Sequence, residues 1–346
     1  MNVSLASKYI KESAIVMLFP LFILGCANPL NLSTKERYTS YGLQAEEAGD
    51  YELARENYRR AFINAQVGSL GPAHESQALY NYARMTGFLC NFEEAEETFL
   101  EALKLEEKKS GPDRQISNRL FMLAQLKFDK HKYDEAIIYF EQVIPIMEKL
   151  GDDREDPVGF SYILDNYAAS LIKSNQKEKS IIYQERAKEL RLNNSGRSEN
   201  CQPVSYNRTC AIFSERKGDW EKAYILRKKY IDNLELTNSM PENRALAYYG
   251  YGRAAGVVCD FESAEKYLNK AYELDLQYTN YSHMDILELG RLNYKQGKYQ
   301  KAVDYFKKGV QILEEKGLTS NKTAGFAKVL EERQRTAKGS GLIIDI

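Results

Sequence analysis

Gly49-Asp50-Tyr51-Glu52-Leu53-Ala54 (GDYELA) is the first copy of a motif that recurs along most of this 346-residue chain. Each copy has a small or polar residue, a second residue, an aromatic, and an alanine three positions after the aromatic. The further copies are Cys90-Asn91-Phe92 with Ala95, His131-Lys132-Tyr133 with Ala136, Gly218-Asp219-Trp220 with Ala223, Cys259-Asp260-Phe261 with Ala264, and Gly297-Lys298-Tyr299 with Ala302. A degenerate copy, Asn175-Gln176-Lys177 with Ser180, fills the one gap, so the units recur every 38 to 44 residues. A period of this length indicates a repeat architecture of about seven units.

Each unit is predicted to be a pair of amphipathic helices joined by a tight turn. Gly49, Gly218 and Gly297 lie where the chain would leave the first helix, a position at which a helix cap favours glycine. The alanine after the turn is small, which allows the two helices of one hairpin to approach closely. A second small residue precedes every turn by seven positions, and these residues are Gly42, Ala83, Ala124, Ala168, Ala211, Gly252 and Gly290.

This arrangement resembles the tetratricopeptide repeat family from about Lys35 to Gly317, and its long period resembles the kinesin light chain type. The resemblance implies an all-α fold, a right-handed superhelical solenoid of about seven helix hairpins followed by a C-terminal capping helix. We expect the solenoid at 35–318 and the capping helix with a flexible tail at 319–346. The fourth unit lacks the turn glycine, the aromatic and the alanine, so we expect an irregular stack there.

The N-terminal region has the pattern of a secretion signal. Lys8 and Lys11 precede a mostly apolar run over residues 14–24, which is too short to span a bilayer as a helix. The run ends at Ile23-Leu24-Gly25-Cys26, which resembles the lipobox of bacterial lipoprotein precursors. The resemblance implies a signal peptide at 1–25, lipidation of Cys26 and a tether at 26–34. An uncleaved signal anchor is the alternative.

Composition and motifs favour protein binding over catalysis. The 48 Lys and Arg balance the 49 Asp and Glu, so the chain lacks the basic field that nucleic acid requires. Its three histidines have no metal-ligand spacing. No phosphate loop or nucleophile motif is evident. We therefore predict that the chain is not an enzyme and has no cofactor, no metal and no nucleic acid partner.

Candidate binding residues come from a likeness between the second and sixth units, in which Tyr80 and Arg84 correspond to Tyr249 and Arg253. In tetratricopeptide arrays the first helix of each unit lines the concave surface, so the resemblance implies that these four residues and Arg291 face a partner. Aromatic and arginine side chains are frequent interface anchors, and arginines suit an acidic segment or a terminal carboxylate. The alternative is that the tyrosines pack between units and the arginines pair with neighbouring glutamates.

The cysteines other than Cys26 allow more than one interpretation. Cys90 and Cys259 occupy equivalent turn positions four units apart and are simplest as small buried residues. Cys201 and Cys210 are close enough in sequence to form a disulfide bond, whereas a buried thiol at Cys210 is the alternative.

The sequence thus favours a membrane-anchored protein-protein interaction scaffold of the bacterial envelope, within pilus, secretion or cell-wall assembly. Ala27 after the lipidated cysteine favours the outer membrane, facing the periplasm, in hosts with the enteric sorting rule. The alternatives are a wall-active hydrolase and a cytoplasmic repeat adaptor with an uncleaved N-terminus. The sequence does not identify the partner.

Overall fold

A computed structural model describes residues 28–106, 113–194 and 204–317. These ranges contain fifteen helices and no strand, which confirms the all-α class. The helices are α1 (Pro29–Glu47), α2 (Tyr51–Val67), α3 (Pro72–Phe88), α4 (Phe92–Glu106), α5 (Arg114–Asp129), α6 (Tyr133–Leu150), α7 (Asp152–Glu155), α8 (Pro157–Lys173), α9 (Lys177–Leu192), α10 (Tyr206–Arg216), α11 (Trp220–Leu234), α12 (Pro241–Val257), α13 (Phe261–Tyr278), α14 (Ser282–Lys295) and α15 (Tyr299–Glu315).

Apart from the single-turn α7, the helices alternate as the first and second members of seven hairpins, as the repeat period predicts. The first hairpin starts earlier than expected. Its helix α1 begins at Pro29 rather than near Lys35, because Asn28 caps it by accepting from the amide of Leu30 and Pro29 occupies the first helical turn. The expected tether at 26–34 is therefore helical from residue 29 onward.

Every hairpin turn has the same backbone conformation at the first residue of the motif. That residue has a left-handed φ between +59° and +78° at all seven positions, whether it is glycine, cysteine, histidine or asparagine. The residues are Gly49, Cys90, His131, Asn175, Gly218, Cys259 and Gly297. The turn prediction is thus confirmed in the three glycine copies and holds equally in the four copies without glycine.

The small residues lie where the paired helices approach each other. All seven that precede the turns are buried, as are the seven Ala or Ser residues that follow them. A methyl group on Gly42 would lie 2.6 Å from the Tyr58 ring, and one on Gly290 would lie 2.9 Å from the Phe306 ring. The predicted close approach within the hairpins is therefore confirmed at these positions.

The described residues divide into two compact bodies, the first comprising those up to 126 together with 138–151, and the second comprising 127–137 together with those from 152 onward. Within the second compact body, the fifth hairpin packs on the turn of the third hairpin. The Asp129 carboxylate accepts from the amide of Tyr206 at 2.6 Å, and the Tyr133 hydroxyl donates to Asn233 at 2.9 Å. Helix α10 therefore begins against residue 129 and not after a regular step from the fourth hairpin, which confirms the irregularity expected there.

Several predictions fall outside the described residues. They concern the signal peptide, Cys26, Cys201 and the C-terminal capping helix. Among the helices that are described, none has both the length and the apolar character that a membrane-spanning segment requires.

Candidate partner-binding site

Tyr80 and Arg84, the first two predicted residues, lie on α3 in the first compact body and make contacts within it. Arg84 forms an ion pair with Glu46 of α1, and its guanidinium lies 5.7 Å from the centre of the Tyr80 ring. The Arg119 guanidinium also lies close to this ring, 5.0 Å from its centre. Burial raises the pKa of the Tyr80 hydroxyl. Tyr80 and Arg84 therefore fit the alternative interpretation, in which tyrosines pack between units and arginines pair with glutamates.

The remaining predicted residues lie in the second compact body, where Arg253 and Arg291 line one cleft of about 200 Å³. Three consecutive hairpins form the cleft: α11 supplies Trp220, α12 supplies Arg253, and α14 supplies Arg291. We call this feature the Trp220 cleft. Its full lining is Trp220, Gly252, Arg253, Gly256, Val257, Leu268, Glu288, Arg291, Leu292 and Lys295.

Arg253 is held in the Trp220 cleft by an aromatic ring. Its guanidinium lies 5.1 Å from the centre of the Trp220 ring, within the range of a cation-π contact. Arg253 is exposed, and no carboxylate among the described residues lies within ion-pair distance of it. Its positive charge is therefore available to a ligand.

The other two cations of the cleft differ in whether a carboxylate neutralises them. Arg291 forms an ion pair with Glu288 one turn earlier on α14. Lys295 donates to the backbone carbonyl of Gly256 at 3.1 Å, which fixes the ammonium group without neutralising it. Three cations therefore face one carboxylate, and the Trp220 cleft has an excess of positive charge.

Tyr249 lies on α12 beside the cleft and packs against the apolar clusters on both sides of that helix. Burial, and next the charge of Glu288, raise the pKa of Tyr249 to about 12, while Arg253 and Arg291 act in the opposite direction. Tyr249 therefore remains a neutral hydroxyl next to the two arginines. The structure thus brings Tyr249, Arg253 and Arg291 together, whereas Tyr80 and Arg84 lie in the first compact body.

Two residues of the cleft did not emerge from the sequence. Trp220 occupies the aromatic position of the motif, and the structure places it half-buried below Arg253. Lys295 lies near the end of α14 in a segment rich in charged residues. The one available signal was that Trp220 is the only tryptophan of the chain.

The cysteine predictions require correction. Cys259 is a free and exposed thiol at the left-handed turn position. The prediction that Cys90 and Cys259 are small buried residues is wrong for Cys259, and Cys90 is only half-buried. Cys90 and Cys210 each take part in a disulfide bond, so the buried-thiol alternative at Cys210 is also wrong. In the described ranges, no group of three or more His, Cys, Asp or Glu is arranged to hold a metal ion.

Comparisons with known proteins agree with the helical hairpins. Residues 74–149 and 286–312 match models of the tetratricopeptide repeat. No curated protein sequence is significantly similar to the chain.

Solved structures with similar helix arrangements include Pseudomonas aeruginosa pilF, which is 14% identical, with a TM-score of 0.37 and coverage of 72% of this chain and 93% of that one. A tetratricopeptide repeat protein from Parabacteroides merdae is 14% identical, with a TM-score of 0.35 and coverage of 86% and 97%. A kinesin light chain-like protein from Podospora anserina with nearly identical TPR-like repeats is 15% identical, with a TM-score of 0.34 and coverage of 60% and 99%.

Proposed function

We propose that this chain, which carries tetratricopeptide repeats, is a protein-protein interaction scaffold anchored to a bacterial membrane through lipid on Cys26. The repeats support the interaction role, because stacked helical hairpins present an extended surface that can bind a partner. Membrane anchoring and a place in pilus, secretion or cell-wall assembly are the further parts of the proposal. They rest on the lipobox at residues 23–26.

The Trp220 cleft is the observation that supports a particular kind of partner. Arg253 is exposed and without a carboxylate partner among the described residues, and Lys295 adds a second cation that is not neutralised. The Trp220 ring and Val257 supply apolar surface beside these charges. An acidic protein segment with an apolar side chain would match the cleft in both charge and surface, since charge-assisted hydrogen bonds to arginine are strong and directional.

The cleft contains its own reporter, because Trp220 is the chain's only tryptophan. We expect a polyglutamate peptide to change the Trp220 fluorescence in a saturable way, and the apparent affinity to fall as ionic strength rises. Polylysine should produce no saturable change. Arg253→Glu should abolish the response to polyglutamate, because it reverses the exposed charge above the indole ring.

Arg154→Glu is the matched control, because Arg154 is an exposed arginine on α7 that does not line the Trp220 cleft. It should leave the response unchanged. An absent response in the wild type, or equal responses in the wild type and Arg253→Glu, would contradict acidic-segment binding at this cleft. Arg84→Glu is a poor test of binding, because it would replace the ion pair with Glu46 by two like charges inside the first compact body.

Lipid attachment is tested separately from peptide binding. Helix α1 begins three residues after Cys26, so a lipid on Cys26 would hold the first hairpin within roughly 10 Å of the membrane surface. We expect Cys26→Ser to abolish incorporation of labelled palmitate and to release the chain from the membrane fraction. Unchanged labelling would contradict the lipoprotein proposal. Recovery of the wild type in the cytoplasm would favour the alternative of a cytoplasmic repeat adaptor. An outer membrane location follows only if the labelled chain fractionates with that membrane.

A further inference from the structure

Helix α9, the second helix of the fourth hairpin, buries one face against α8. The Tyr183 and Tyr167 rings are 4.6 Å apart, and Ala187 is fully buried. Arg191 extends this face by binding the buried Asp165 carboxylate at 2.6 Å. These contacts fix which side of α9 points away from α8.

The opposite face of α9 carries large apolar residues in contact with solvent. The exposed fractions of Ile181 and Leu192 are 56% and 67%, and Glu185 and Lys188 between them are also exposed. We call these four residues the α9 outer stripe. Their spacing of four, three and four positions places them along one line on a helix, as in the contact line of paired helices.

The helix that follows α9 does not cover the α9 outer stripe. The next helix, α10, begins against Asp129 through hydrogen bonds from Ser205 and the amide of Tyr206. Among the described residues, no carboxylate or cation lies within ion-pair distance of Glu185 or Lys188.

The spacing and the charges of the α9 outer stripe are self-complementary in one orientation. If two copies of α9 pair antiparallel, Ile181 of one copy lies opposite Leu192 of the other, and Glu185 lies opposite Lys188. The two-fold axis repeats both contacts, which gives two apolar pairs and two ion pairs. A parallel pairing would instead place Glu185 opposite Glu185 and Lys188 opposite Lys188.

From this match we infer that α9 is a dimerisation helix. Its outer stripe binds the α9 outer stripe of a second copy of this chain in antiparallel orientation. This inference goes beyond the proposed function and depends on neither the Trp220 cleft nor Cys26. A dimer would present two Trp220 clefts and would therefore bind a partner with repeated acidic segments more tightly than one chain does.

The test is a charge exchange measured on the full chain purified in mild detergent. Light scattering on a sizing column should give the protein mass of two chains at micromolar concentration. Glu185→Lys and Lys188→Glu should each weaken dimerisation about tenfold or more, because each places like charges opposite one another. The double variant Glu185→Lys with Lys188→Glu should restore dimerisation, since the exchanged charges again face opposite charges in the antiparallel pair.

Two further variants test the apolar contact. Ile181→Ser should weaken dimerisation, whereas Ile225→Ser, a change of an equally exposed isoleucine on α11, should not. All these side chains are on the surface, so circular dichroism should show an unchanged helix content. A monomeric wild type would overturn the inference. So would a dimer that the two single charge variants leave intact, or one that the double variant fails to restore.

Discussion

A left-handed backbone ends the first helix of each of the seven hairpins, and four of those positions hold a residue other than glycine. Any residue with a Cβ is disfavoured there relative to glycine, since the Cβ of an L-residue crowds the following carbonyl oxygen. Cys259 is the clearest case, because it is free, exposed and has φ of +67°.

We expect Cys259→Gly to raise the free energy of unfolding by about 1 kcal/mol, because glycine removes the left-handed penalty at a position where the side chain makes no buried contact. Gly297→Ala is the converse, since its φ is +71° and an added Cβ would meet no atom within 4 Å. It should lower the free energy of unfolding by a similar amount. Urea unfolding followed by circular dichroism measures both changes, and a destabilised Cys259→Gly variant would contradict the argument.

A second prediction at the residue scale concerns the buried pair Asp275 and Asp285. Burial, and next the nearby Asp275 carboxylate, raise the pKa of Asp285 to about 9. An unfolded aspartate has a pKa of about 4. Between these values the folded chain keeps a proton that the unfolded chain releases, so this contribution to stability is present below pH 4 and is lost as the pH rises toward 9.

Asp285→Asn removes that titration while keeping a similar shape. We therefore expect its melting temperature, relative to the wild type, to be higher at pH 8 than at pH 5. Asp304→Asn, an exposed change on α15, is the control and should give the same difference from the wild type at both pH values. A pH-independent effect of Asp285→Asn would show that Asp285 ionises as freely in the folded chain as in the unfolded one.

At the scale of single residues, the sequence predicted conformation better than contact. The turn positions and the small residues follow from one short motif, because local sterics fix both. The pairing of Arg84 with Glu46, 38 positions earlier, depends on how two hairpins stack, and a single sequence carries no signal for that. The role of Trp220 was missed for the same reason, since its motif position indicates a packed aromatic and its contact with Arg253 arises only between hairpins.

At the scale of helices, α12 provides an internal comparison between two glycines. A methyl group on Gly252 would lie 2.8 Å from Cγ and 3.0 Å from the backbone nitrogen of Leu268 on α13. A methyl group on Gly256 would meet nothing nearer than 3.4 Å. Both positions are helical, so alanine has the same propensity advantage at each.

We expect Gly252→Ala to lower the free energy of unfolding by about 1–3 kcal/mol, because backbone atoms of α13 cannot move aside as a flexible side chain can. Gly256→Ala should be neutral or stabilising by up to about 1 kcal/mol. Chemical unfolding of both variants against the wild type measures the difference. Equal effects at the two positions would show that helix propensity, and not close approach, decides the stability of this hairpin.

The fourth hairpin shows which property of a helix the motif does and does not predict. Loss of the turn glycine and the aromatic at residues 175–180 correctly indicated an irregular stack, which the structure shows where α10 begins against Asp129. The sequence did not indicate that α9 would keep an exposed apolar face, since Ile181 and Leu192 fit a buried helix equally well.

At the scale of the whole chain, a nearly neutral net charge conceals local differences. The 48 basic and 49 acidic residues almost cancel, yet the Trp220 cleft holds three cations and one carboxylate. Composition therefore argues against nucleic acid as a partner, while the stacking of hairpins five to seven concentrates positive charge in one cleft, which suits an acidic partner.

A repeat array also makes a prediction about how stability is distributed along the chain. Because each hairpin contacts mainly its neighbours, a local defect should destabilise nearby hairpins and leave distant ones intact. Gly290→Ala introduces such a defect on α14, where a methyl group would lie 2.9 Å from the Phe306 ring of α15. We expect hydrogen exchange to accelerate in α12–α15 and to remain unchanged in α1 and α2. Gly256→Ala, which lacks the close contact, should accelerate exchange in neither region. Uniform acceleration across all helices in Gly290→Ala would mean that the chain unfolds as one cooperative body, which would contradict a stability built from contacts between neighbouring hairpins.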